Sequence, residues 1–423
     1  MLNNLEKAAL GFYDLAWSAA IPLLSKNKRL ADGFAQRKLD RRLAEADIWI
    51  QAASAGEAYL AQSILKMIEP PRPVHILVTS NTRQGLDIIR AAILDIPEKK
   101  NITISAACFP FDSPRIMRKA VNQVSPDIMV LLESELWPGL LSALKESGSK
   151  ILTINGRMTP KSLKHYKIWS SFWNSLAPDR ILAISHEDAH RFGILFGKQR
   201  VRVVPNIKFD GINTENARGK VLESIKRFLP SEVPFLVLAS IRKEEEALIL
   251  KMIKTILEKQ PKTVIGLFPR HMHRLCHLEK KLAASSLCWK LRSETNHPPA
   301  PGTVLLWDKF GELAASYQLA KAAFVGGSLV DAGGQNFLEP LMCGIIPVTG
   351  PYWDNFYWVG RQIMDAGLVR MAGDWKQSAN ILIQMLQEPE SRENVRKKAL
   401  DYIGKRQGGT QEACKLICQY IPF

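Results

Sequence analysis

The sequence predicts an α/β protein of two Rossmann-like domains that face a cleft, preceded by an N-terminal membrane-associated helix. Three observations lead to this prediction. Short apolar runs alternate with longer amphipathic stretches, as in repeated βαβ units on parallel sheets. The alternation pauses once, near residues 205–225, and then resumes, which indicates a second domain. An apolar, aromatic segment followed by a basic one precedes the first strand-like run.

Length and charge limit the class of protein. A domain holds about 150 residues, so the 423 residues of this chain suggest two or three. The formal net charge of +16 favours anionic partners. Nucleic acid is not the expected one, because the chain has no zinc-finger spacing, no basic region with heptads and no aromatic ribonucleoprotein motif. The six cysteines lack a framework-like spacing and are expected to be reduced, in a cytosolic compartment.

Residues 1–45 form the predicted membrane-associated segment. Residues 8–25 read AALGFYDLAWSAAIPLLS, and residues 26–42 are rich in lysine and arginine. An apolar aromatic helix beside a basic stretch fits an interfacial anchor on an anionic cytoplasmic leaflet. Asp14 and the short apolar length argue against a full membrane span. The alternative is an ordinary buried first helix.

Residues 46–210 form the first predicted α/β domain. Its strands are expected in IWIQAAS, HILVTS, ITISAA, DIMVLLE, KILTIN and RILAIS. Ser54 and Glu57 follow the first of these with the three-residue spacing of a capping box. Glu133 and Glu135 end the fourth, where carboxylates two residues apart on a strand share a face and can tune another acid. Lys208, at the domain junction, could meet developing negative charge, although a lone lysine there is usually only solvated.

Residues 211–423 form the second predicted domain, with strands in PFLVLAS, TVIGLFP, TVLLW, AAFVGG and GIIPVTG. Glycines 326 and 327 follow a strand, and Asn336 can cap a helix that carries Glu339, which together predict an anion site. A tight turn without a ligand is the alternative. Arg270 ends another strand, where an arginine can make paired hydrogen bonds to a phosphate or a carboxylate. The neighbouring histidines lack a metal-site spacing, so no metal is predicted.

Taken together, these motifs resemble the Kdo transferases, membrane-associated GT-B glycosyltransferases that move 3-deoxy-D-manno-oct-2-ulosonic acid (Kdo) from CMP-Kdo to a lipid A precursor. The resemblance runs in order along nearly the whole chain, through SAGE, ESELWP, NGRM, NIKFD, PRH, GEL, FVGGSL and GGQNFLEP. The chain differs from the family's common pattern at three places. Ile241-Arg242-Lys243 replace a threonine, histidine and glycine, Gln335 and Phe337 replace a histidine and a proline, and WDKFGEL replaces GDTMGEL.

The resemblance implies a role for each site residue. It implies that Glu57 is the catalytic base and that Glu133 and Lys208 support the transition state. It implies a CMP pocket lined by Pro269, Arg270, Phe310, Gly311, Glu312, Asn336, Phe337, Leu338 and Glu339. The implied reaction inverts the anomeric carbon and needs neither cofactor nor metal, and the implied location is the cytoplasmic face of the inner membrane. The implied partners are CMP-Kdo, a lipid A precursor (lipid IVA) and the anionic membrane surface.

Three other functions remain as alternatives. A GT-B glycosyltransferase could use another nucleotide sugar on a lipid or polysaccharide acceptor, because a fold does not fix a function. A membrane-bound binder could keep the scaffold without turnover, although Glu57, Arg270 and Glu339 together argue against it. A basic nucleic-acid binder would predict salt-sensitive binding of generic DNA or RNA.

Overall fold

A computed structural model describes residues 2–31, 33–96, 101–212, 219–229 and 232–422. The chain divides into two compact units, Met1–Gly211 with Arg406–Phe423, and Ile212–Lys405. The linker predicted near residues 205–225 lies partly outside the described residues.

The first unit is built on a parallel sheet of seven strands in the order β3-β2-β1-β4-β5-β6-β7. The strands are β1 Ile48–Ala52, β2 Val74–Ser80, β3 Ile102–Cys108, β4 Ile128–Leu132, β5 Lys150–Gly156, β6 Arg180–Ala183 and β7 Val201–Val203. The helices are α1 Asn4–Leu24, α2 Lys28–Ala31, α3 Phe34–Arg37, α4 Ala55–Met67, α5 Arg83–Leu94, α6 Pro114–Val124, α7 Pro138–Ser147, α8 Pro160–Lys167, α9 Ser170–Ser175 and α10 His186–Phe196.

Both faces of this sheet are covered. Trp49 belongs to one apolar core, whereas its neighbours Ile48 and Ile50 belong to another on the opposite face. All residues of β1 and β4 are buried, as expected for central strands of a parallel sheet. Chain order reverses between β1 and β4, and ligands of such sheets bind at the strand ends beside this switch point.

The second unit repeats this design with a parallel sheet in the order β10-β11-β9-β8-β12-β13-β14. Its strands are β8 Phe235–Ile241, β9 Val264–Pro269, β10 Trp289–Leu291, β11 Val304–Leu306, β12 Ala322–Val325, β13 Pro347–Thr349 and β14 Arg370–Met371. Its helices are α11 Lys220–Lys226, α12 Glu246–Lys259, α13 Leu275–Ala283, α14 Leu313–Leu319, α15 Leu338–Met342, α16 Gln362–Asp365, α17 Trp375–Gln387 and α18 Arg392–Gly404. The switch point lies between β8 and β12.

The last helix, α19 Gly409–Gln419, returns to the first unit. Asp210 accepts hydrogen bonds from the amides of Gly408 (2.7 Å) and Thr410 (2.6 Å) at the start of α19. Ile417 and Ile421 pack into the same core as Ile48 and Ile50. The predicted domain of residues 211–423 is therefore wrong at its C-terminal end.

The N-terminal segment is not a separate domain of residues 1–45, because Leu10, Leu39 and Leu43 lie in the same core as Trp49. The Tyr13 hydroxyl donates to Asp112 (3.1 Å), and Asp14 accepts from the Ser113 hydroxyl (2.5 Å). These contacts fix one face of α1 to the unit, while the opposite face stays exposed. Among the residues described, no helix has both the length and the apolar character that crossing a bilayer requires.

Candidate active site

Glu57 stands in the first turn of α4, directly after β1. Ser54 caps this helix, and its hydroxyl accepts from the Glu57 amide (3.4 Å) and donates to Glu57 Oε1 (3.0 Å). The second carboxylate oxygen, Oε2, accepts from the amide of Ala53 (2.7 Å). In a capping box the Glu57 carboxylate would accept from the amide of the cap residue, Ser54. Here it accepts from the amide of Ala53, one residue earlier.

The surroundings of Glu57 alter its acidity. Glu57 is only 7% exposed. Burial is the largest cause that raises the pKa of Glu57 to about 7, and the negative charge of Glu135 raises it further. The hydrogen bonds from Ala53 and Ser54 act in the opposite direction. A general base works best when its pKa lies near the operating pH. Glu57 therefore has the position and the acidity that proton abstraction requires.

Glu133 follows the last residue of β4 and has a left-handed backbone, with φ of 57°. Such a conformation is unfavourable for a non-glycine residue and is concentrated at functional sites. The Glu133 amide donates to the carbonyl of Ile154 on β5 (3.0 Å). The expectation that Glu133 and Glu135 share one strand face is wrong, because β4 ends at Leu132 before either carboxylate.

Lys208 contacts Glu133 directly, with 2.6 Å between Nζ and Oε1. Lys208 lies in the short 3-10 turn Ile207–Phe209. The Ile207 amide donates to Asn155 Oδ1 (3.0 Å), and Asn155 sits near the end of β5 in a left-handed conformation with φ of 57°. Asparagine tolerates this conformation better than most residues, so Asn155 connects the Lys208 turn to the strand beside Glu133.

Glu135 forms the third carboxylate of this group. It accepts from Trp137 Nε1 (2.6 Å), and burial raises its pKa, as does the charge of Glu133. Glu57 and Glu133 follow the two strands of the switch point, β1 and β4. The structure thus brings Glu57, Glu133 and Lys208 to the same strand-end edge of the first sheet.

In the second unit, Arg270 follows β9, and its amide donates to the carbonyl of Ile241 at the end of β8 (2.8 Å). Burial raises the pKa of Glu339, and the positive charge of Arg270 lowers it. The two side chains therefore interact electrostatically. Asn336 Nδ2 donates to Glu339 Oε1 (2.9 Å), and Asn336 Oδ1 accepts from the Leu338 amide (3.1 Å). Four of the predicted pocket residues therefore lie together at the strand ends of this sheet: Arg270, Asn336, Leu338 and Glu339.

Phe337 and Leu338 are 0% and 4% exposed. The Phe337 ring packs 5.1 Å from that of Phe356. Their side chains belong to the core, so only their backbone groups are available to a ligand. Phe310, by contrast, is 89% exposed beside Gly311, which has a left-handed φ of 81°. Pro269 is the last residue of β9 and is half-buried.

Glu312 pairs with buried Arg292, a contact that the sequence did not predict. Its carboxylate accepts from Arg292 Nε (3.0 Å) and from Trp307 Nε1 (2.9 Å). The Arg292 guanidinium also lies 4.2 Å above the Phe228 ring. Glu312 therefore holds the loop that carries Phe310 and Gly311, and its carboxylate is already engaged within the protein.

The glycine turn after β12 is occupied by the protein's own carboxylate. Glu245, 0% exposed, accepts from the amides of Gly327 (2.5 Å) and Leu329 (3.5 Å). These two amides are therefore not available to an anion, because a buried acid already accepts their hydrogen bonds. In the described part of the chain, no three His, Cys, Asp or Glu side chains are grouped so that they could hold a metal ion.

Known proteins are similar to this chain in sequence or in fold. Residues 26–211 match the family model described as 3-Deoxy-D-manno-octulosonic-acid transferase (kdotransferase). A 3-deoxy-D-manno-octulosonic acid transferase of Haemophilus influenzae is 28% identical over 382 residues, which cover 88% of this chain and 87% of that protein. One of Bordetella pertussis is 29% identical over 434 residues, which cover 97% and 99%. A crystal structure of UDP-N-acetylglucosamine 2-epimerase matches with a TM-score of 0.58 at 13% identity, over 89% of this chain and 97% of that one.

The two parallel sheets define an α/β fold of the GT-B type. The similarity to Kdo transferases shows that the chain is a glycosyltransferase. The chain is similar to Kdo transferases along most of its length, which confirms the resemblance seen in its motifs.

Proposed function

We propose that this enzyme transfers Kdo from CMP-Kdo to a lipid A precursor, lipid IVA, in lipopolysaccharide biosynthesis. The observation that carries this proposal is the position of Glu57. It is a buried carboxylate at the switch point of the first sheet, with a pKa of about 7, in a chain related to Kdo transferases. These properties suit a base that activates a sugar hydroxyl near neutral pH.

The proposed step is a single displacement with inversion. Glu57 takes the proton of the acceptor hydroxyl while the hydroxyl oxygen bonds to the anomeric carbon of Kdo. The bond from that carbon to the phosphate oxygen breaks, and its electron pair leaves with CMP. The pair of Lys208 and Glu133 supports the transition state, with the Lys208 ammonium countering developing negative charge.

The second unit holds the donor in this proposal. Arg270, near Glu339 and Asn336, binds an anionic group of CMP-Kdo through charge-assisted hydrogen bonds. The exposed backbone at Phe310 and Gly311 contacts the nucleotide, while the bond of Glu312 to Arg292 keeps that loop in place.

Transfer can be measured with CMP-Kdo generated in place and a tetraacylated lipid A precursor in detergent, comparing the native enzyme with Glu57→Gln. We expect product from the native enzyme and a loss of several orders of magnitude in the variant, because glutamine cannot accept the proton. Product formed from UDP-sugars instead would support the alternative of a different nucleotide sugar. Equal activity in Glu57→Gln would contradict the assigned base.

We also propose that the enzyme acts at the cytoplasmic face of the inner membrane, on which α1 lies. Four large apolar side chains on one face of α1 are exposed by 67–75%: Leu5, Phe12, Leu15 and Leu23. Lys26, Arg41 and Arg42 follow the helix in sequence and are exposed, whereas Arg37 is buried and donates to the carbonyls of Phe109 and Asn81. An apolar stripe followed in sequence by exposed cations matches an anionic bilayer surface.

A further inference from the structure

Two arginines stand side by side at the strand ends of the second sheet. Arg242 follows β8 and Arg270 follows β9, and these strands are paired through Ile241 and Pro269. The hydrogen bond from the Arg270 amide to the Ile241 carbonyl, 2.8 Å long, keeps the two turns in register. Only Arg270 belongs to the pocket that the family resemblance implies.

Arg242 lies at the switch point of this sheet. Strand β8 borders β9 on one side and β12 on the other, so its C-terminal end is where a ligand of a doubly wound sheet is expected. The turn after β12 leaves room for the arginine at Gly327. A Cβ atom there would lie 3.2 Å from Arg242 Cδ and 3.2 Å from Gln335 Nε2. Arg242 therefore extends across the glycine turn towards the residue that precedes Asn336.

The backbone of Arg242 is fixed, whereas its charge is largely free for a ligand. Its amide donates to Glu245 Oε1 (3.0 Å), the same oxygen that accepts from the Gly327 amide. Glu245 is completely buried, so it fastens both sides of the switch point. The guanidinium has a partner in Glu244 at 3.6 Å. Arg242 is half-buried and Glu244 is exposed, and an ion pair that reaches solvent contributes little energy.

We propose that Arg242 is a second donor-binding arginine, which contacts an anionic group of the nucleotide sugar next to the one held by Arg270. This assignment rests on the proposed function and deepens it. A CMP-linked Kdo carries two negative charges, one on its phosphodiester and one on its carboxylate. An arginine offers planar paired donors to either group. Two arginines at adjacent strand ends can therefore hold the two anions of one donor.

The test compares CMP binding and steady-state transfer in the native enzyme, Arg242→Ala, Arg242→Lys and Lys243→Ala. Lys243 is the matched control, because it is an exposed cation one residue away. Arg242→Ala is expected to weaken donor binding by about 10- to 100-fold, because a hydrogen bond to a charged group is lost. Arg242→Lys should recover part of the loss, and Lys243→Ala should change little.

The two readouts separate the two anions. Weaker CMP binding in Arg242→Ala assigns Arg242 to the phosphate, whereas unchanged CMP binding with a raised KM for CMP-Kdo assigns it to the carboxylate. If both quantities stay at the native values in Arg242→Ala, the assignment is overturned and the proposed function stands. If the native enzyme binds neither CMP nor CMP-Kdo, the proposed function fails first. Thermal unfolding of each variant verifies that it is folded.

Discussion

Lys208 and Glu133 form an ion pair across 75 positions of sequence, with 2.6 Å between Nζ and Oε1. The pair joins the turn before Gly211 to the end of β4, beside the strand that leads to Glu57. Its side chains are 24% and 20% exposed, so the pair is neither fully buried nor fully solvated.

We expect Glu133→Gln and Lys208→Met each to lower kcat/KM by about 100-fold, because preorganised charges at a reacting centre contribute on that scale. The kcat/KM of the double variant should be only slightly below that of the less active single variant, since each substitution already breaks the same pair. Unfolding free energies should change by only about 1 kcal/mol, as for a partly exposed pair. Losses that multiply in the double variant would show that the two groups act separately.

The activity should depend on the ionisation of Glu57. Because the base must be ionised to accept a proton and its pKa is raised to about 7, kcat/KM should increase with pH through that value and then level off. Glu135→Gln removes a negative charge near Glu57, which favours its ionised form, so the midpoint should move to lower pH. Glu146→Gln is the control, because Glu146 is an exposed carboxylate that pairs with Arg118. A midpoint that stays in place in Glu135→Gln would exclude the electrostatic coupling.

Glu312 should matter more for stability than for donor affinity. Glu312→Gln removes the charge that balances buried Arg292, and an uncompensated buried charge costs about 3–5 kcal/mol. We expect a lower free energy of unfolding of this order in urea, with KM for the donor altered by less than about threefold at temperatures where the variant is folded. Glu294→Gln, an exposed neighbour in the same turn as Arg292, serves as the control. A large KM effect with native stability would mean that the Glu312 carboxylate binds the donor directly.

Glutamate substitutions on the exposed apolar face of α1 should weaken membrane binding. Burial of a Phe or Leu side chain contributes about 1.5–3 kcal/mol, so Phe12→Glu or Leu15→Glu should reduce partitioning onto anionic phospholipid vesicles by tenfold or more. Leu94→Glu is the matched control, because Leu94 is 87% exposed but lies at the end of α5. The measurement is vesicle co-sedimentation. If all three variants partition equally, α1 is not the binding element.

Strong local patterns predicted the central strands. Runs such as IMVLL in β4 are apolar throughout because both faces of a central parallel strand are covered. The strands that were not predicted, β7, β10 and β14, have two or three residues and lie towards the sheet edges, where exposed residues such as Arg202 and Lys290 interrupt the pattern.

The candidate site was predictable where its chemistry depends on local sequence. Ser54 and Glu57 lie within one helical turn, so their contact follows from spacing. The contacts of Lys208 with Glu133 and of Glu312 with Arg292 join separate segments, and no periodicity encodes them. Phe337 stands in a motif with polar neighbours, and only the three-dimensional packing on Phe356 shows that its ring is buried.

Because α19 returns to the first unit, the first unit consists of two segments of chain and the second of one. The two units therefore differ in how easily each can be produced as a recombinant fragment. The second unit, Ile212–Lys405, is one uninterrupted stretch of chain, so it can be expressed without a break. The first unit needs a designed linker to join residue 211 to residue 406. Removing the last eighteen residues, Arg406–Phe423, would take Ile417 and Ile421 out of the core that contains β1. A C-terminal deletion or a bulky C-terminal fusion partner would therefore first disturb the unit that carries Glu57, at the other end of the sequence.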